Sequence, residues 1–87
     1  MIRVAIPSQL IAYTGGATRV EAEGATVGDV MDNLDLQFPG LKFRVIDEQG
    51  RIRRHMRIFV GRDEARAISV PVREGGEVLL FGALSGG

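Results

Sequence analysis

Alternation opens the chain. Ile2, Val4 and Ile6 take every second position with Arg3 and Ala5 between them, a period of two that predicts a half-buried strand. Pro7 ends it, because proline cannot donate to a strand ladder. Tyr13-Thr14-Gly15-Gly16 is a turn signal. After it Thr18, Val20 and Ala22 alternate with Arg19, Glu21 and Glu23, predicting a second strand that closes a hairpin on the first and stops at Gly24. The period then changes. Thr26 stands three residues before Asp29, a hydroxyl N-cap ahead of an acid in the first helical turn. Val27, Val30, Met31, Leu34 and Phe38 follow at helical spacing, with Asp29, Asp32, Asn33 and Asp35 on the other face. Gly28 weakens this helix by about 1 kcal/mol relative to alanine, which predicts close packing at that position. Pro39-Gly40 stops the helix.

Beyond it the pattern is less regular. Leu41-Lys42-Phe43-Arg44-Val45-Ile46 fits neither period well and admits a short helical turn or a strand. Asp47-Glu48-Gln49-Gly50 reads as a turn, Arg57-Ile58-Phe59-Val60 as a compact strand, Gly61-Arg62-Asp63-Glu64 as a turn and Ile68-Ser69-Val70 as a short extended piece. Glu74-Gly75-Gly76-Glu77 opens the last strand, Val78-Leu79-Leu80-Phe81, which is apolar throughout as a central strand flanked on both edges should be. Alternate residues of a strand face opposite ways; Val78 and Leu80 are favoured inward with Leu79 and Phe81 toward the partner face, and the opposite assignment, with Leu79 or Phe81 in the core, stays open. One main helix over one mixed sheet is an α+β fold with a single core. Residues 1–87 read as one domain with a flexible segment from about 83 to 87.

Composition narrows the chemistry. Eleven basic and eleven acidic residues give a formal charge of zero, so the molecule as a whole is not an electrostatic partner for nucleic acid or for a membrane surface. Lys42 is the only lysine. The absence of cysteine excludes disulfides, zinc–thiolate sites, iron–sulfur clusters and a cysteine nucleophile. No apolar run approaches the ~20 residues of a bilayer span, and Met1 to Pro7 is too short and too alternating for a signal peptide. A cytoplasmic protein is expected.

Candidate reactive groups are few. His55, the single histidine, sits among Arg51, Arg53, Arg54 and Arg57 with no partner cluster for a base or a metal ligand, and is expected at the surface. Those arginines form either a docking patch for an acidic partner or a solvated face, and the solvated face is the favoured reading. The run is too short, and too poor in interleaved aromatics, for a nucleic-acid site. Gly15-Gly16 and Gly75-Gly76 lack any phosphate-loop spacing and read as turns. Asp29, Asp32 and Asp35 are expected to be ordinary solvated acids. No metal site is expected.

The chain ends on Ala83-Leu84-Ser85-Gly86-Gly87. Glycine lacks a Cβ and passes through narrow channels, and five extended residues reach roughly 17 Å at about 3.3–3.6 Å each. A strand that runs directly into such a tip can present a carboxylate inside another protein's active site.

A hairpin, a capped helix and a buried last strand leading into Gly-Gly resemble the ubiquitin-like sulfur carriers, β-grasp proteins related to the molybdopterin synthase small subunit and the thiazole-synthesis carrier. The anchor is the segment from Arg73-Glu74-Gly75-Gly76-Glu77 through Val78-Leu79-Leu80-Phe81-Gly82 to Gly86-Gly87. Gly76 replaces the usual acid of that turn, and Phe81-Gly82 stands where prolines are common. Ile6-Pro7, Leu10, Tyr13-Thr14-Gly15-Gly16, Pro39-Gly40 and Arg57-Ile58-Phe59-Val60 are similar to the carriers of actinobacterial cysteine biosynthesis. The resemblance implies a ubiquitin-like β-grasp with the first and last strands parallel at the centre of the sheet. It implies a carrier rather than an enzyme, with no bound cofactor. A partner activating enzyme uses ATP to adenylate the Gly87 carboxylate, and sulfur then displaces AMP to leave a thiocarboxylate. Gly86, Ser85 and Leu84 form the approach, and Leu79 and Phe81 form the surface for that enzyme. The sulfur acceptor is a pyridoxal-phosphate cysteine synthase or, alternatively, a molybdopterin synthase large subunit. A protein modifier and a never-activated interaction module are the remaining alternatives.

Overall fold

The structure, a computed structural model, describes residues 1–82. The opening alternation becomes β1, Ile2–Ala5, with Ile2 and Val4 buried and Arg3 exposed. It pairs antiparallel with β2, Arg19–Ala22, in the register Ile2 to Ala22 and Val4 to Val20. On its other edge β1 pairs in parallel with β5, Glu77–Gly82. β3, Met56–Val60, lies antiparallel on the far side of β5, and β4, Asp63–Ala65, lies antiparallel on β3. The sheet order is therefore β2-β1-β5-β3-β4, with the first and last strands parallel at its centre, as the β-grasp expectation requires.

One face of this sheet is covered by α1, Val27–Gln37, whose Val27, Val30, Met31 and Leu34 have no solvent exposure. They pack with Ile2, Val4, Ile58, Val78 and Leu80 from the inner face of the strands. Fully burying each such side chain stabilises the fold by roughly 1.5–3 kcal/mol before entropy is counted. Thr26 caps α1 as predicted, its Oγ1 accepting the Asp29 N–H at 3.1 Å. The close packing expected at Gly28 is also present: a Cβ there would lie 3.4 Å from Ile68.

The stretch after α1 resolves as a short helix, α2, Leu41–Val45. Asp35 helps to start it, since its Oδ1 accepts the backbone N–H groups of Gly40 and Lys42 at 3.1 and 3.2 Å. Asp32 pairs with Lys42. The acidic face of α1 is thus partly structural, a correction to its reading as ordinary solvation.

Three further local expectations change. The connection after Pro7 contains a 3₁₀ helix, Ser8–Thr14, so the turn expected over Tyr13 to Gly16 is confined to Gly15-Gly16, and β1 and β2 pair antiparallel as expected. Leu10 and Thr14 point inward from it, and the Thr14 hydroxyl bonds the carbonyls of Ile11 and Ala17. The turn expected at Gly61 to Glu64 is narrower: Gly61, at φ 60°, and Arg62 make the reversal, and Asp63 already belongs to β4. Three residues are too few to display a period. Ile68 and Ser69, expected to be extended, instead form a turn. The carbonyls of Val70 and Ile68 accept the Val27 and Gly28 N–H groups at 2.9 and 2.8 Å, donors that the helix itself cannot satisfy. Closing the start of α1 outweighed strand propensity.

Two consequences are measurable. Leu34→Ala should lower unfolding free energy in urea by about 2–5 kcal/mol, against a total of roughly 4–13 kcal/mol for a chain of this size. Asp47 closes its turn by accepting the N–H groups of Arg51 and Gln49, both at 2.9 Å. The Arg51 N–H is the main cause that holds this carboxyl below the ordinary aspartate value of 3.8; the Gln49 N–H and the Arg51 and Arg53 guanidinium groups add to it, while desolvation opposes. A group depressed in this way stabilises the fold above its unfolded pKa, and that contribution fades as pH falls through the folded value. NMR titration of the Asp47 carboxyl should give a midpoint below 3.8; a higher midpoint contradicts the turn.

Candidate functional site

With the helices on one face of the sheet, strand alternation builds the other. Ala5 lies opposite Leu79, and Leu79 opposite Phe59, so these three form a row across β1, β5 and β3. Phe81 sits two residues further along β5, opposite Arg57 and diagonal to Phe59. The two rings meet edge to face, with centroids 5.6 Å apart and planes at 85°. Val78 and Leu80 are buried, Leu79 is half-buried and Phe81 is 48% exposed, so the expected sidedness of β5 is observed. Phe59 completes the stripe and was not among the expected site residues. Its signal was available, because it shares the parity of Arg57 on a strand whose Ile58 must face the core.

Charged groups rim the stripe. Arg19 stands opposite Ala5, and Glu64 opposite Phe59. Arg19 pairs with Glu77 at 3.8 Å, while Arg57 and Arg66 share Glu64 at 3.7 and 3.6 Å. Exposed pairs of this kind contribute roughly 0.2–1 kcal/mol each, so they keep the face soluble more than they hold it together.

β5 ends at Gly82, paired with Met56 at the start of β3. The Gln9 side chain from the 3₁₀ helix donates to the Gly82 carbonyl at 3.2 Å, and a Cβ at residue 82 would come within 2.4 Å of the Gln9 Nε2. Gly82, the last described residue, therefore sits between the 3₁₀ helix and the loop before β3. Nothing in the hydrophobic pattern pointed to Gln9. Leu84, Ser85, Gly86 and Gly87 lie outside the described residues.

Elsewhere the described surface offers little for catalysis. His55 is exposed in the turn before β3, as expected. Among the described residues no group of three or more His, Cys, Asp or Glu side chains could hold a metal ion. Among the described residues no helix is long and apolar enough to cross a membrane. The recess lined by Asp35, Lys42, Phe43 and Asp47 is open to solvent and pairs no nucleophile with a base. The arrangement suits a surface that docks, with a chain end leaving beside it.

Such a sheet, helix and strand exit define a ubiquitin-like β-grasp protein. No family model matches the chain. It is 30% identical over 91 residues to the sulfur carrier protein CysO of Mycobacterium tuberculosis, covering 99% of this chain and 98% of the relative. It is 37% identical over 82 residues to the small archaeal modifier protein 1 of Haloferax volcanii, covering 92% and 93%. Its structure matches CysO in the crystal structure of the Amycolatopsis orientalis BexX/CysO complex with a TM-score of 0.94 at 30% identity, covering all of both chains. The chain belongs to the CysO family of ubiquitin-like sulfur carriers, related to the small archaeal modifiers. Carrier and modifier are roles of proteins acted upon, and the chain is not an enzyme.

The two faces of β5 should respond differently to truncation. Leu80→Ala is expected to lower stability by about 2–5 kcal/mol, whereas Phe81→Ala should lose only about 1 kcal/mol, the edge-to-face contact and little else. Urea unfolding of both variants checks this, and equal losses contradict the assigned sidedness.

Proposed function

We propose that this protein carries sulfur as a thiocarboxylate on Gly87 and delivers it for cysteine biosynthesis. Full-length similarity to CysO, with the same fold over the whole chain, is the observation that carries the reading. The Gly86-Gly87 ending is its chemical counterpart. A carboxylate resists nucleophiles because of its own charge, so a partner enzyme first joins it to the α-phosphate of ATP and releases pyrophosphate. Hydrosulfide then attacks the acyl carbon and AMP leaves with the bonding pair. The resulting thiocarboxylate is a soft nucleophile for an activated serine derivative held by a pyridoxal-phosphate enzyme. The protein supplies the handle: Phe59, Leu79 and Phe81 dock on the activating enzyme, Gly82 marks the exit, and residues 83–87 reach its active site.

Similarity to an archaeal modifier favours one second reading, attachment of Gly87 to lysines of other proteins after the same adenylation. Isopeptide-linked adducts recovered from cells would support it.

The decisive experiment incubates the chain with an adenylating enzyme, ATP and sulfide and reads intact mass. One sulfur-for-oxygen exchange at the C-terminal residue is expected, and an unchanged mass with a competent enzyme refutes the carrier reading. Gly86→Val should unfold at the same urea concentration as the parent yet release pyrophosphate at a rate lower by about tenfold or more, since a side chain one residue from the reacting carbon displaces it from attack geometry. Removal of Gly87 should abolish the mass shift.

A further inference from the structure

The formal charge is zero, but along two stretches of the chain the charges are of one sign. Between Glu21 and Asp35 there are five acids and no base; between Gln49 and Arg62 there are five arginines and no acid. The fold keeps these two runs on different elements. Glu21 lies on β2, at one edge of the sheet, and Asp29, Asp32 and Asp35 lie on α1, over one face, while Arg51, Arg53, Arg54 and Arg57 lie before and along β3, toward the other edge.

The arginine run lies beside the end of β5. Met56 N–H donates to the Arg53 carbonyl at 2.9 Å and closes a turn whose two corner residues are Arg54 and His55, both exposed. Met56 is the residue paired with Gly82, so this turn stands beside the last strand's exit. Arg57 lies opposite Phe81, one step further along. Arg53 is held in place on the other flank: its guanidinium stacks 4.5 Å above the Phe43 ring and its Nε donates to the Phe43 carbonyl at 2.7 Å. Arg57 and Arg66 have a single carboxylate, Glu64, between them. Among the described residues Arg54 makes no ion pair.

We propose that Arg53, Arg54, Arg57 and Arg66 form a basic collar around the exit of β5, and that its occupant is an acidic protein surface, the rim of the activating enzyme's channel. The identity of that occupant rests on the carrier reading. Local stability does not account for the collar, because its exposed pairs each contribute roughly 0.2–1 kcal/mol and Arg54 contributes none. A nucleic acid fits less well. The collar is a compact cluster of four arginines that already shares Glu64, too few for an extended polyanion, whereas a compact acidic rim covers it. Complementary charge beside an apolar stripe raises encounter rates by about 10- to 1000-fold and falls steeply with ionic strength.

The test has two arms on the full-length chain. In the first, backbone amide shifts are followed during titration with an oligo-glutamate peptide at low salt. Shifts confined to residues 53–57 and 66, and lost on adding salt, are expected; no shifts, or shifts elsewhere, overturn the proposal. Saturable binding of a single-stranded RNA at near-physiological salt also overturns it. In the second arm, Arg54→Glu/Arg57→Gln is compared with the parent in adenylation. The variant's kcat/KM should fall by about tenfold at low salt, through KM, and the gap should close to about threefold or less in high salt as screening removes steering. Arg54→Lys should keep the parent's KM. An unchanged KM, or a defect independent of salt, refutes the collar. Identical thermal midpoints establish that the variant is folded. If the parent chain itself is never adenylated, the carrier reading fails, and the peptide titration alone decides the collar.

Discussion

The parallel pairing of β1 with β5 is the constraint on which the rest depends. It joins Arg3 to Glu77 and Ala5 to Leu79, residues from opposite ends of the chain, and Arg3 N–H reaches the Gly76 carbonyl at 3.1 Å. Closing a loop of that length costs about 4 kcal/mol of chain entropy beyond a constant. Backbone bonds alone return too little, at about 1 kcal/mol net each. Val4, Val78, Leu80 and Ile58 offset it by burial, at roughly 1.5–3 kcal/mol apiece, and they are buried only because α1 lies over them. Helix and central strands are therefore one cooperative unit.

That unit decides where the functional surface is. Once the inner face of β5 is committed to α1, pleating forces Leu79 and Phe81 outward and aligns them with Phe59 and Ala5. The same pairing brings Gly82 to Met56, and so places the chain's departure beside the Arg54 turn. Docking stripe, exit and basic collar share one edge-to-centre region of the sheet although they come from distant stretches of sequence.

Much of this was legible beforehand, for identifiable reasons. β5 is legible as an unbroken apolar run opened by the Gly75-Gly76 turn, while β1 and α1 have strong periods and clear stops, at Pro7 and at Thr26 with Pro39, and each appears close to its expected bounds. Their type is set by burial on one face, which a period reports directly. The 3₁₀ helix at Ser8–Thr14, β4 at Asp63–Ala65 and the turn at Ile68-Ser69 are different. None is long enough to show a period, and each exists to satisfy a distant partner: Gln9 at Gly82, Ala65 on Ile58, and Ile68 at the Gly28 N–H. The arginines between residues 51 and 57 were legible as a run but not as a collar, since that depends on which strand end lies next to them.

The sequence by itself determined the α+β class, the single core, the period of β1 and α1 and the exclusion of thiol chemistry. These follow from local period and residue chemistry, which need no knowledge of neighbours. Tertiary structure decided the strand order, the alignment of Phe59 with Phe81, the sharing of Glu64 by two arginines and the placing of the Arg54 turn beside Gly82. Those are properties of registers between segments far apart in the chain, and a register exists only once the strands have been brought together.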